Sequence, residues 1–299
     1  MKPVPAKILE GKENDVFDTK IVNSPYFSTL FHFHEECQIN YVVKSEGTRM
    51  IGDSIESFSQ DDLILVGSNI PHVWHNSKEY FIASENENQA KSVTLFFHPD
   101  KIIKIISQFG NVKTLADFFQ LSKRCMRFKG KTKLQIKTLL IQLADEVDVL
   151  TRLNLLTKIL QILSETKEYD LLTGAGYTNT YQLKDNDRMD IILKHIFNNF
   201  AKEIHLEDVS EMIYMNKQSF CRYFKSRTQK TFVEFVNEVR VGHACKLLTQ
   251  EDYRVNNLAY DCGFNSLSNF NKFFKKFKGL TPREYRGKYM SSSVRGHNL

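Results

Sequence analysis

Asn216-Lys217-Gln218-Ser219-Phe220-Cys221-Arg222-Tyr223-Phe224-Lys225 is answered, 50 residues later, by Ser266-Leu267-Ser268-Asn269-Phe270-Asn271-Lys272-Phe273-Phe274-Lys275. The match continues beyond both stretches, with Thr231, Glu234 and Phe235 returning as Thr281, Glu284 and Tyr285. Self-similarity at a fixed offset marks a duplicated structural unit. In each copy a cap-type residue, Asn216 or Ser266, precedes two phenylalanines four apart. Each copy therefore opens a helix whose rings share one core-facing side. Lys217, Gln218, Cys221 and Arg222 fall off that side, as do Leu267, Ser268, Asn271 and Lys272, with Asn269 beside them. Those residues are free to meet solvent or a ligand.

Upstream of each copy lies a short helical pattern and a tight turn. In the first, 206–213 is followed by Tyr214-Met215; in the second, 255–261 is followed by Cys262-Gly263-Phe264. A short helix, a turn and a second helix with a polar, basic face make a helix-turn-helix. Residues 232–248 form one long helix that fixes the spacing of the copies. From Arg188 onward there are 19 Lys+Arg against 11 Asp+Glu, an excess of +8 where the whole chain carries +6, so the remainder is net negative. A phenylalanine pair alone is ordinary helix core, and a charge excess alone serves solubility. Duplication, same-face basic and amide side chains, and local charge together point to nucleic acid. Single-stranded RNA is disfavoured, because its readers expose aromatic platforms and these phenylalanines face the core.

Working toward the N-terminus, residues 26–98 read as short strands. Leu30-Phe31-His32-Phe33-His34 alternates, Ile39-Asn40-Tyr41-Val42-Val43 is β-branched and aromatic, and Leu63-Ile64-Leu65-Val66 and Val93-Thr94-Leu95-Phe96-Phe97 are apolar runs. Turn residues at Glu46-Gly47, Gly52-Asp53 and Asp61-Asp62 punctuate them, which suggests an all-β sandwich or barrel. After Pro99 the period becomes helical over 101–109, 115–121 and 133–168, the last with a break near Thr151. Leu139, Leu140, Leu143, Val147, Leu150, Leu153, Leu156, Ile159, Leu160 and Leu163 give that stretch more apolar surface than one packing face uses, so it is expected to be shared between the β-domain and a second subunit. Residues 170–187, small and glycine-containing, read as a linker, and 291–299 as a disordered tail.

The chain has 299 residues, 41% hydrophobic and 25% charged, enough for about two domains. That composition excludes a disordered chain, a fibre and a disulfide-stapled scaffold. No apolar run reaches the ~18–20 residues of a membrane helix, and the first residues lack a signal-peptide core, so the expected location is cytoplasmic. Five cysteines without a C-x-x-C pair read as reduced thiols. No nucleophile elbow, P-loop or dinucleotide glycine pattern is present, so no enzyme activity and no cofactor is expected.

The last hundred residues resemble the DNA-binding domain of the AraC/XylS family of bacterial transcription regulators. The matching residues are Ala259, Gly263-Phe264, Ser266-x-Ser268, Phe270, Phe274-Lys275-Lys276, Gly279-Leu280-Thr281-Pro282 and Tyr285-Arg286, with Arg240, Ala244 and Leu247-Leu248 on the central helix. The first hundred residues resemble the cupin sensor barrel that some members carry, through His32-x-His34, Gly47-x-Arg49, Ile51-Gly52-Asp53, Asp61-Asp62-Leu63-Ile64-Leu65 and Pro71-His72-Val73-Trp74. Two departures stand out. Gln229 occupies a helix end where the family has glycine, and Gln38 stands where a metal-binding cupin has glutamate.

The resemblance implies an α+β fold, with an N-terminal cupin-like β-barrel, a helical dimerisation segment, and a C-terminal all-α domain of two helix-turn-helix motifs joined by a long helix. The divisions are 1–100 sensor, 101–169 dimerisation segment, 170–187 linker, 188–290 DNA-binding domain and 291–299 tail. It implies an effector-responsive regulator whose partners are double-stranded promoter or operator DNA, a small-molecule effector, a second copy of the chain through 133–168, and RNA polymerase as a further candidate, with no membrane. DNA contacts are expected from Lys217, Gln218, Cys221, Arg222, Lys225, Leu267, Ser268, Asn269, Lys272, Lys275 and Lys276. His32, His34, Gln38, His72 and Trp74 are expected to line the effector pocket. The histidines admit two readings, a metal site with cupin chemistry or residues lining a small-molecule pocket. The missing carboxylate favours the second, and no metal is expected. A cupin metalloenzyme with an attached DNA-binding domain, and a ligand-independent regulator whose barrel only dimerises, remain as alternatives.

Overall fold

A computed structural model describes residues 9, 16–27, 30–82, 89–179, 186–248 and 257–293. The chain divides near residue 186 into two units. Among the described residues no helix is long and apolar enough to cross a membrane.

The N-terminal unit is built on two antiparallel sheets. The larger contains β1 (Phe17–Ser24), β2 (Cys37–Lys44), β5 (Leu63–Val66), β7 (Ala90–Phe97), β8 (Met126–Phe128) and β9 (Tyr169–Leu171), in the order β1-β7-β2-β5-β8-β9. The smaller is β4 (Ser54–Phe58), β3 (Gly47–Ile51) and β6 (His72–Asn76), in that order. Among the described residues five helices accompany them before β9: α1 (Glu79–Ile82), α2 (Pro99–Ile106), α3 (Lys113–Ser122), α4 (Gly130–Asp145) and α5 (Val149–Glu165).

The strand period of two gives the larger sheet two different faces. Cys37, Ile39 and Tyr41 of β2, Leu63 and Leu65 of β5, and Val93, Leu95 and Phe97 of β7 form one buried cluster with Ile136, Leu140 and Leu143 of α4 and Leu156, Ile159, Leu160 and Leu163 of α5. The intervening residues turn to the smaller sheet, where Val42, Ile64 and Val66 meet Ile51, Phe58 and Trp74. On β2 and β7 that second face is largely polar, with Gln38, Asn40, Ser92 and Thr94 all buried. Asn40 donates from Nδ2 to Thr94 Oγ1 at 2.9 Å.

Three expectations are corrected here. The stretch 30–34 is not a strand: only His32 pairs, with His72, through backbone bonds of 2.8 and 3.2 Å. Its neighbours are held by local bonds instead, the His34 carbonyl accepting from Asn69 N at 2.7 Å and the Leu30 and Glu36 carbonyls facing the rings of His32 and His34. The long helical stripe breaks at residues 146–148, ahead of Thr151. Asp148 caps α5 by accepting from Thr151 N at 2.8 Å, and Arg152 donates to the Leu143 and Glu146 carbonyls that α4 leaves open. The described part of the stretch read as a linker is tied to the sheets. Leu172 and Thr173 donate to the Arg124 carbonyl, Gly174 N donates to Asp53 Oδ1 at 3.1 Å, and Tyr177 packs in the inter-sheet cluster. Residues 180–185 of that stretch lie outside the described residues.

The C-terminal unit is helical throughout its described residues: α6 (Asn186–Asn199), α7 (Leu206–Met212), α8 (Lys217–Thr228), α9 (Phe232–Leu248), α10 (Leu258–Asp261), α11 (Leu267–Lys278) and α12 (Pro282–Ser293). The helix expected over 255–261 is thus a single turn, its residues 255–256 lying outside the description. Helix α12 runs past the boundary expected at 290, and tail residues 294–299 also lie outside it. Helix α9 packs against α8, α10, α11 and α12.

The duplicated sequence is duplicated in packing. Phe220 and Phe224 stack at 5.6 Å between centroids, and Phe224 meets Phe235 edge-on at 5.2 Å. In the second copy Phe270 and Phe274 lie 5.5 Å apart, and Phe274 meets Tyr285 edge-on at 5.6 Å. All four phenylalanines are buried. Fully burying a side chain of that size contributes about 1.5–3 kcal/mol, so each pair anchors its helix.

Candidate nucleic-acid interface and inter-sheet site

Helices α8 and α11 begin the same way. Asn216 Oδ1 accepts from Ser219 N at 2.9 Å and Ser266 Oγ from Asn269 N at 3.2 Å, so both predicted caps form. The turn before α11 brings Gly263 so close to its surroundings that a Cβ there would meet the Phe200 carbonyl at 2.6 Å, with a backbone φ of 84°. Glycine is required at that point. Before α8, Tyr214 takes the left-handed backbone instead.

The caps and the buried phenylalanines fix which side of each helix faces outward. On α8 the exposed residues are Lys217, Gln218, Cys221, Arg222, Lys225 and Ser226; on α11 they are Leu267, Ser268, Asn269, Asn271, Lys272, Lys275 and Lys276. Every residue predicted to contact DNA is therefore on the surface. Two are already paired. Lys217 bridges to Glu207 on α7, and Lys276 Nζ donates to Glu234 Oε1 at 2.6 Å. Pairing leaves Arg222, Lys225, Lys272 and Lys275 as the more available cations.

Two features escaped the sequence reading. Thr231 N donates to Glu234 Oε2 at 3.1 Å while Glu234 N donates to Thr231 Oγ1 at 3.3 Å, and Thr281 and Glu284 repeat the exchange at 2.7 and 3.3 Å. These are reciprocal capping boxes at the starts of α9 and α12, and Thr-x-x-Glu was their visible signal. Lys276 and Thr231 hold the Glu234 carboxyl down at about 2. The thiols of Cys245 and Cys262 are pushed up to about 11 and 12 by burial, whereas Cys221 is exposed.

In the N-terminal unit, His32, His34 and His72 converge. One ring nitrogen from each lies within 4.8 Å of the others, and the ring centroids of His32 and His72 are 4.4 Å apart. Each Nδ1 faces a backbone carbonyl: Leu30 for His32 at 2.8 Å, Glu36 for His34 at 3.0 Å, and Ile70 for His72 at 2.7 Å. Burial pushes His32 down to about 4 and His72 well below the usual imidazole range, so both are neutral at pH 7. In His32 and His72, with Nδ1–H committed to a carbonyl, Nε2 carries a lone pair. Among the described residues, Nε2 of His72 is buried without a hydrogen-bond partner. His34 Nε2 lies 3.2 Å from Gln38 Oε1, and the Glu36 carboxylate stands 3.4 Å behind its Nδ1. Trp74 stacks edge-on against His72 at 5.5 Å, its Nε1 buried and without a partner among the described residues. All five residues predicted for this pocket thus come together. Asn40, Ser92 and Thr94, which line the same inter-sheet face, were missed; the period-two polar positions Gln38-x-Asn40 and Ser92-x-Thr94 were the signal.

Residues 209–288 match the family model described as a helix-turn-helix domain. That stretch of the chain is a helix-turn-helix domain. The transcriptional activator RhaS of Mannheimia succiniciproducens is 33% identical over 126 residues, which cover 42% of this chain and 45% of RhaS. The uncharacterized HTH-type transcriptional regulator YdeC of Bacillus subtilis is 24% identical over 267 residues, 85% of each chain. Among solved structures, ToxT from Vibrio cholerae with an unsaturated fatty acid bound is 15% identical, with 92% of this chain and 96% of ToxT covered at a TM-score of 0.34. The chain spans less than half the length of the RhaS and RhaR relatives it matches.

Proposed function

We propose that the chain is a sequence-specific DNA-binding transcription regulator that reads two successive major grooves with α8 and α11, each the second helix of a helix-turn-helix. The observation that carries this is the repeated outward face: two helices with matching caps, matching buried phenylalanines and matching polar, basic exposures. Helix α9 is the spacer between them, and successive grooves on one side of a duplex are about 34 Å apart. Arg222 and Lys272 are assigned to base edges or phosphates, Gln218, Ser268 and Asn269 to adaptable hydrogen bonds, and Lys225, Lys275 and Lys276 to phosphates. The relatives named above are regulators, which supports a regulatory role over an enzymatic one.

The N-terminal unit is assigned to effector recognition, with His32, His34, Gln38, His72 and Trp74 in the pocket. Helices α4 and α5 are assigned to pairing with a second copy. Exposed Leu134, Val147, Val149, Leu150 and Leu153 support that assignment. An effector alters DNA affinity only by binding two arrangements of the protein unequally. Selection of bound duplexes from a random pool by the full chain tests the DNA assignment. A recurrent site bound well above competitor DNA is the expected result, and no preference for any duplex at moderate ionic strength would overturn it.

A further inference from the structure

The two copies of the helix-turn-helix agree where they face inward and differ where they face outward, and one of the outward differences is apolar. Phe220 and Phe224 return as Phe270 and Phe274, all four buried. Along the exposed sides of α8 and α11, Lys225 and Lys275 match, whereas Gln218 is answered by Ser268, Cys221 by Asn271, Arg222 by Lys272 and Lys217 by Leu267. A repeated cation suits the phosphate backbone, which is the same everywhere; diverging side chains suit base edges, which are not. We propose that Leu267 is a specificity-determining residue that packs on the C5-methyl group of a thymine in the half-site read by α11. This rests on the DNA-binding reading above and names one base that the site contains.

Leu267 is the first residue of α11, directly after the Ser266 cap. The N-terminal residues of a recognition helix are the ones that reach base edges in the major groove. The leucine side chain is 49% exposed. The core beneath α11 is filled by Phe264, Phe270 and Phe274 with Val241, Ala244 and Leu248 of α9. Leu267 therefore stands outside the packing that anchors its own helix, on a surface it shares with exposed Ser268, Asn271 and Lys272.

The first copy shows a structural use of the same position. Lys217 bridges to Glu207 on the preceding helix. In the second copy Asn257 stands where Glu207 does and Leu267 where Lys217 does, so both members of that tie have been replaced. What remains is an isobutyl group at the leading end of a helix with a polar, basic outer side. It can neither donate nor accept a hydrogen bond. Among the base edges of the major groove, the thymine methyl is the apolar feature, whereas cytosine would set its amino donor against the leucine.

The test uses the full chain and the duplex selected as above. Each thymine in turn is replaced by deoxyuridine, which removes the methyl and leaves every hydrogen-bonding group in place. The expected result is a thymine at which affinity falls about three- to fourfold, the worth of one buried methyl group. Leu267→Ala should bind the thymine and uracil duplexes equally at that position, while Leu267→Met, which keeps an apolar side chain there, should retain a preference of at least about twofold. A leucine with a merely structural role would instead weaken binding to all duplexes alike and leave each thymine-to-uracil ratio as it was in the unaltered chain. Equal affinity of the unaltered chain for every uracil-substituted duplex, or thymine preferences that all survive Leu267→Ala, would overturn the assignment. A chain that selects no duplex fails the DNA-binding reading itself, whereas one that selects a duplex without such a thymine fails the leucine assignment alone.

Discussion

Gln229 does with a side chain what Gly279 does without one. Both end their helices in the left-handed region, at φ 59° and 68°, and both donate their N–H to a lysine carbonyl one turn back, Lys225 or Lys275, at 2.9 Å. The departure from glycine noted in the sequence thus leaves the cap unchanged and adds a local steric cost. Gln229→Gly should raise stability by about 1 kcal/mol, and Gly279→Ala should lower it by a similar amount, both readable in urea unfolding of the full chain. Arg222 belongs to the same scale. If it reads a base edge, Arg222→Ala loses about 1–3 kcal/mol, concentrated at one base pair across a panel of single-position DNA variants. Uniform weakening over the panel would make it a backbone contact. Caps and buried rings were legible here because each depends on residues a few positions apart. Lys217 and Lys276 were not seen to be paired, since their acids lie on other helices.

At the scale of elements, the capping box of α9 links local sequence to pH response. The Glu234 carboxyl sits at about 2 in the folded chain against 4.5 as the ordinary value, held down by Lys276 first and then by Thr231. A lowered folded value means the contribution is fully present above about pH 4.5 and lost as pH falls toward 2. Glu234→Gln should therefore flatten the fall of the unfolding midpoint between pH 5 and about 2, measured by circular dichroism melts. An unchanged slope would show that the Lys276 bridge is absent in solution, where exposed pairs are weak. Helix faces and long helices were legible from period, and so was the turn at Gly263. Strand identity in 30–34 was not, because alternation alone cannot show that local histidine and asparagine contacts occupy the carbonyls a ladder would use. The position of the break between α4 and α5 was missed by a few residues because Asp148, a cap, looks like any other polar residue within an apolar stripe.

For the whole molecule, the surplus apolar surface on α4 and α5 is the least explained by the chain's own core. Val147 is 88% exposed and Leu150 75%, although they belong to the same stripe as fully buried Leu143 and Ile159. Leu150→Glu combined with Leu153→Glu should convert a dimer to a monomer in sedimentation without lowering the melting temperature. A wild-type chain that sediments as a monomer would refute the assignment. The two-unit organisation was legible from a change of period and of charge. The meeting of His72 with His32 and His34 was expected from the resemblance to a cupin barrel rather than from spacing, which does not say which strand edges return to one another.

The alternating faces of β2 carry a consequence for how such a protein changes over generations. Ile39 and Tyr41 are committed to the helices, whereas Gln38 and Asn40, one step away along the same strand, are not. Substitutions at the even positions can retune what the interior accepts while the odd positions keep the scaffold intact. A lineage built this way is free to exchange its chemical signal by single steps without first surviving a collapsed intermediate.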